Sequence, residues 1–412
     1  MAQGEDKLNR SSVWRDLDCD YSQGLPALLK ELNISLIFTA YQAGRLILIR
    51  SDGEKLDVEP IPVERPMGIS TDKRRLTLGS FSQILTFVRE DGLIAQLKKP
   101  LLPIEEDRTA PRIKSEKEQR LEAANEHSGV AQETDAKEQQ IIPGHRKQRH
   151  QAVDQRVDAC FIARSAHYSG MINTHDIAWG NDGLWVVNSS FSCLCTVDPN
   201  WSFVPRWKPH FISELKPEDR CHLNGMALRD GKPAYATTFS KDDGPSMWRS
   251  AETFDGTLID VAANRILIDG LVLPHSPRWH EKGVFYCNSG LGQICVYEPD
   301  TGNHSVLSEV PGFTRGMDIH GSILFVGLSR ARETRVSRPT PLSRKSDITR
   351  CGISLIHVKT GKEMGSIRFP RHVDQIYDVA VIPDCSFPEL LDPTHPRMRN
   401  HFVHDQLQPL EN

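Results

Sequence analysis

No run of apolar residues in this 412-residue chain approaches the eighteen or so that a membrane-spanning helix needs. The opening MAQGEDKLNRSSVWRDLD also lacks an apolar stretch of signal-peptide length. Together these absences give the expectation of a cytoplasmic protein with no membrane partner. An excess of basic charge is missing too: 50 Lys and Arg face 54 Asp and Glu, a formal net charge of −4. Binding a phosphate backbone takes a concentrated basic surface, so nucleic acid is not the expected partner. Cysteine is unframed. Its nine copies are odd in number, and Cys193 and Cys195 form C-x-C rather than C-x-x-C, so they read as reduced thiols, mostly packed as small apolar groups. Helical periodicity over a dozen or so residues is absent, and so is any local catalytic signature such as H-E-x-x-H.

A repeat is present. Short motifs, each followed by a turn and a β-prone segment, recur as RPMGIS, THDIAWGNDGLWVVN, LNGMALRDGKPAYATT, HSPRWHEKGVFYCNS, TRGMDIHGSILFVGL and IYDVAVIPD. Aligned on Gly68, Asp176, Gly225, Pro277, Gly316 and Asp378, two of the spacings are too long, and each holds a segment that reads as an insert. Residues 105–157 are dense in mixed charge with no aromatic, and 330–350 are rich in Arg, Ser, Thr and Pro. Without these inserts the period is roughly 40 to 55 residues, the size of a four-stranded propeller blade. The last repeat supplies a single strand, and Ile34 to Tyr41, Arg45 to Arg50 and Val58 to Val63 supply three more. The expected fold is therefore an all-β, six-bladed propeller whose N- and C-terminal strands close one composite blade. The expected layout is a lead at 1–30, one propeller domain at 31–385 carrying the two inserts, and a flexible tail at 386–412.

In a propeller the first strand of each blade lines the central channel, so the residues that open the motifs converge there. These are Met67, His175, Asn224 with His222 two residues earlier, Ser276 with His275 just before it, Arg315 and Tyr377. Two readings follow. In one, His175, His222 and His275 ligate a divalent transition metal (Zn, Cu or Fe) that leaves a position open for water or substrate. Asn224, Ser276 and Asp219 would then bind a small molecule or peptide in the channel, with Arg315 and Tyr377 acting on it. Asp176, Asp219 or Asp378 would orient a ligating imidazole. In the other reading the protein is a non-catalytic propeller that binds a peptide or protein on its channel face, and the histidines cap strand ends. Sequence alone leaves oligomeric state open.

Several longer runs carry a resemblance. They are His175-Asp176-Ile177-Ala178-Trp179, Val187 to Leu194, Phe203 to Pro209, Pro217 to Gly225, Pro274 to Trp279 and Pro311 to Gly316. On these the chain, from about residue 30 to 385, resembles a largely bacterial family of conserved hypothetical proteins carrying a domain of unknown function. That resemblance implies membership and no particular activity. A looser similarity is to six-bladed calcium-dependent lactonases and to the peptide-amidating lyase, which holds zinc with histidines in a propeller. Met67 stands where the lactonase type has an acidic ligand, so the three-histidine pattern is similar to the second.

Overall fold

A computed structural model of the protein describes residues 17–100, 152–281, 283–331, 339–393, 395, 397–398 and 401–403. By its internal contacts the chain divides into two compact units, one of residues 1–89 and 163–388 and the other of 90–162 and 389–412. The first holds the channel. Its inner strands are Ile69–Thr71, Thr174–Gly180, Leu223–Arg229, Pro274–His280, Phe313–His320 and Asp378–Pro383, and each touches the next until the last meets the first. They open six antiparallel sheets in a ring, a six-bladed β-propeller.

Blade two shows why the chain folds this way. Gly183–Asn188 and Cys193–Asp198 are runs of branched, aromatic and small apolar residues broken by Ser- and Asp-containing turns, and they pair in simple hairpins. In blade three the Asp230-Gly231 turn has φ of 53° and 72°, the left-handed pair that matches strand twist in a two-residue hairpin. Blade six is composite. Asp378–Pro383 pairs with Ile34–Ala40, Thr39 opposite Asp378 and Ile34 opposite Pro383, and Arg45–Ser51 and Leu56–Pro62 follow outward. The chain ends are thereby hydrogen-bonded into one sheet, as the repeat pattern predicts.

Adjacent inner strands approach closely, and the sequence allows it by alternation. Gly68, Gly225 and Gly316 sit in blades one, three and five, against Asp176, Ser276 with Pro277, and Asp378 of the following blades. A Cβ on Gly225 would lie 2.3 Å from Pro277 Cδ, and one on Gly316 2.6 Å from the Asp378 Cα. The core lies between blades: Val187 and Leu194 meet Leu223 and Met226, and Leu258 and Leu271 meet Val284 and Tyr286. None of the nine cysteines, eight of them buried, is in a disulfide.

The helix Leu25–Glu31 presents Leu25 and Leu29 to the same apolar cluster as Ile34, Phe38 and Phe369, so part of the 1–30 segment packs into the propeller core. Of the expected 105–157 insert only 152–157 lies within the described residues. From the 330–350 insert Thr340 and Leu342 are buried, and Leu342 N–H donates to the Gly290 carbonyl. The second unit has a small cluster of its own, formed by Leu93, Leu97, Cys160, Ile162 and Leu391. Among the described residues no helix is long and apolar enough to cross a membrane.

Candidate functional site at the channel mouth

Blades two to five turn from their inner strands at Gly180, Arg229, His280 and His320. Five residues ahead of each turn stand His175, Asn224, His275 and Arg315. With Met67 before Gly68 and Tyr377 before Asp378 they form a ring of equivalent positions. Ser276 occupies the next position, where its Oγ accepts the Gly316 N–H at 3.0 Å and ties blade four to blade five. The inner strands are bulged at this level, the pairing slipping between Thr174 and Ile177 and between Thr314 and Met317, which re-aims the ring residues.

Two of the three histidines touch, and the third joins them through a phenylalanine. His175 meets His222 edge to face with ring centroids 4.6 Å apart, and Tyr377 lies 5.2 Å from His175 on the other side. His222 also packs on Phe239 and Trp248, at 4.4 and 4.3 Å. Phe239 continues to His275 at 5.0 Å and His275 to Phe313 at 5.6 Å. The Arg315 guanidinium carbon stands 3.8 Å over the Tyr377 ring.

Two of these imidazoles are oriented from behind. His222 Nδ1–H donates to Asp219 Oδ1 at 2.7 Å, and the second Asp219 oxygen takes the Trp248 indole N–H at 3.2 Å and Arg249 at 3.1 Å. The Asp219 loop is braced by the buried Arg220 guanidinium, which bonds Glu218, Asp243 and Glu214 at 2.8, 2.8 and 3.0 Å. Nδ1–H of His275 donates to the Leu273 carbonyl at 2.9 Å, with Ser289 Oγ at 2.8 Å. In both rings the anchor is at Nδ1, which leaves Nε2 as the nitrogen turned from that anchor.

Burial is the first cause holding His175 well below the usual histidine range, with the neighbouring His222 and Arg315 acting the same way. His275 is depressed by burial first, then by Arg315 and His222. Burial likewise keeps the Tyr377 phenol protonated far above its ordinary range, against the pull of Arg315. Arg315 has no carboxylate partner among the described residues. Two buried donors nearby are also unsatisfied, Asn224 Nδ2 and the Tyr377 hydroxyl, while Asn224 Oδ1 accepts from Thr237. Among the described residues no group of three or more His, Cys, Asp or Glu is arranged to hold a metal ion.

One register further along the inner strands the chemistry reverses sign. Arg278 of blade four reaches Asp176 of blade two with two hydrogen bonds, at 2.8 and 3.2 Å, and comes within 3.7 Å of Asp378 of blade six. Asp176 accepts Met226 N–H, and Asp378 accepts Ile69 and Val379 N–H. Burial, reinforced by Asp176 and opposed by Arg278, pushes Asp378 well above the ordinary carboxylate range. Asp176 and Asp378 are thus bound to backbone and arginine rather than to any imidazole.

Arg249, Trp248 and Phe239 are absent from the sequence-derived set. Trp248 and Arg249 lie in the irregular stretch between Lys232–Thr238 and Gly256–Asp260, outside the repeated motif, so motif alignment carries no signal for them. Phe313 and His222 share a signal that alignment does carry, since each stands two residues ahead of a ring position.

Among solved structures, the chain is similar to one described as a nidogen/laminin complex, with a TM-score of 0.47 and 10% identity over 85% of this chain and 99% of that one. It is also similar to the computationally designed Ika8 protein, with a TM-score of 0.32 and 7% identity over 82% of this chain and 74% of that one. No curated protein matches. The model of the DUF4915 family, a domain of unknown function, matches residues 23–105 and 119–391, and the chain belongs to that family.

Proposed function

We propose that the channel mouth binds a small molecule or peptide through an anionic group, with Arg315 as the countercharge and the neutral imidazoles of His175 and His275 as hydrogen-bonding groups. The observation that carries this reading is Arg315 itself, a half-buried guanidinium stacked on Tyr377 and without a carboxylate partner among the described residues. A half-buried cation without a counter-ion has lost part of its hydration uncompensated, and a carboxylate or phosphate fits the guanidinium fork. Asn224 Nδ2 and the Tyr377 hydroxyl add two donors awaiting an acceptor. Burial holds both imidazoles neutral, so each serves the ligand as a hydrogen-bonding group and leaves the positive charge of the site to Arg315. The expected location is cytoplasmic.

A second reading places a divalent Zn, Cu or Fe on His175, His222 and His275. It is favoured by the Nδ1 anchoring of His222 on Asp219 and of His275 on Leu273, which points Nε2 outward as metal-ligating imidazoles require. The nearby Arg315 charge weighs against it. Calorimetric titration of wild type and Arg315→Gln with phosphate, sulfate and short carboxylates separates the two. Under the anion reading wild type binds at least one class and the variant binds it about tenfold or more weakly. Undiminished binding by Arg315→Gln overturns that reading. Stoichiometric metal in protein purified without a tag, lost in His175→Ala, would instead establish the metal reading.

A further inference from the structure

The ring of equivalent positions has a second layer above it. In four of the six blades the residue two places ahead of the ring position, Arg65 in blade one, Asn173 in blade two, His222 in blade three and Leu273 in blade four, shares one backbone conformation. It is left-handed, with φ of 46°, 52°, 50° and 52°. A branched or long side chain adopts this conformation only against steric strain, so its recurrence marks a geometry imposed by the blade entrance. His222 uses it to reach His175. Arg65 occupies the corresponding place one third of the ring away.

The surroundings of Arg65 mirror those of Arg315. Its guanidinium carbon lies 5.1 Å over the Tyr41 ring and 5.2 Å from the Phe81 ring, and Nη2 donates to the Tyr41 hydroxyl at 3.2 Å. Nη1 faces the Met171 sulfur at 3.6 Å, and the buried Nε has no hydrogen-bond partner. No carboxylate pairs with it among the described residues. Tyr41 and Tyr377 adjoin, with ring centroids 5.9 Å apart. A continuous path therefore runs from Arg315 over Tyr377 and Tyr41 to Arg65, no link longer than 5.9 Å, and ends at the exposed Phe81 and Met171.

Two carboxylate-free arginines joined by two tyrosines fit a ligand that is charged at both ends and less polar between. We infer that Arg65 forms a second anion subsite, and that the ligand of the channel mouth is an elongated dianion whose spacer lies along Tyr377 and Tyr41. This rests on the anion reading of Arg315. A guanidinium over an aromatic ring keeps its N–H edge available to an anion, so stacking on Tyr41 and binding a carboxylate are compatible.

The test is calorimetric titration of the full-length protein with linear α,ω-dicarboxylates of increasing length and with the monocarboxylate of each length, using wild type, Arg65→Gln, Arg65→Lys and Arg315→Gln. The expected result is a preferred length at which the dicarboxylate binds more tightly than its monocarboxylate. Arg65→Gln is expected to lower dicarboxylate affinity about tenfold, to leave the monocarboxylate unchanged and to abolish the length preference, with partial recovery in Arg65→Lys. If Arg65→Gln shifts only the melting temperature and leaves the dicarboxylate-to-monocarboxylate ratio as in wild type, the arginine is a packing residue and the second subsite is overturned while Arg315 stands. If no carboxylate binds wild type, this inference falls, and if phosphate and sulfate fail as well the Arg315 reading falls with it.

Discussion

Replacing Arg278 by Met removes a cation that three channel strands share, at nearly constant side-chain volume. It deletes the hydrogen bonds to Asp176 at 2.8 and 3.2 Å and the 3.7 Å approach to Asp378, both carboxylates being about 5% exposed or less. Stripping a buried ion pair of one partner costs about 3–5 kcal/mol, because the remaining charge stays desolvated. The loss should depend on pH. Burial already lifts the Asp378 carboxyl to about 8 in the intact protein against the opposing pull of Arg278, so without the guanidinium it holds its proton to higher pH still. Above about pH 8 the variant's native state then keeps a proton that the wild-type fold gives up, so the destabilisation grows as pH rises past 8, by at most about 1.4 kcal/mol per pH unit. Urea unfolding followed by tryptophan fluorescence at pH 6.5, 8 and 9 measures both effects. Arg371→Met is the control, since its 3.2 Å contact with Asp18 is exposed on both sides and worth about 1 kcal/mol at most. A loss at pH 8 no larger than the control's would refute the reasoning.

Gly316→Ala should destabilise the protein by more than about 1 kcal/mol, because φ is +77° there and the new Cβ would meet the Asp378 backbone at 2.6 Å; Gly302→Ala, at φ +72° in an open turn with nothing within 4 Å, separates backbone strain from the steric term in parallel thermal melts. His175 and His275 resist protonation in the fold, whereas in the unfolded chain each protonates near pH 6.5 or so. Stability should therefore be unaffected by them above pH 7 and fall as pH drops below about 6.5, by up to about 1.4 kcal/mol per pH unit per histidine, and the doubly substituted His175→Gln, His275→Gln protein should show a shallower decline in urea midpoints between pH 7.5 and 5. An identical decline in that variant would mean the imidazoles are not desolvated as described.

How much of this is legible in the residues depends on whether the information is local. The blade count and the composite closure come from the sequence by itself, because each blade repeats a strand–turn pattern within roughly 40 to 55 residues, and the lone strand at Asp378–Pro383 needs the partners that only Ile34–Pro62 offers. The ring residues His175, Asn224, Arg315 and Tyr377 are legible for the same reason, since their register is counted from a repeated motif. What the repeat does not encode, only the tertiary structure decided. Blade entrances fold back in three dimensions, so Arg65, two residues off the motif, comes to stack on Tyr41, and Trp248 and Arg249 reach His222 and Asp219 from a loop with no repeat to align. The same holds for charge pairing. Asp176 and Asp378 look like supports for histidine from their place in the chain, yet Arg278 lies three residues past His275, and an inner strand's bulge and twist send it across the channel to claim both carboxylates. Pairing across a channel is set by the distances between blades, which no spacing within one blade contains, and so Arg315 is left uncompensated by a fact of assembly rather than of sequence.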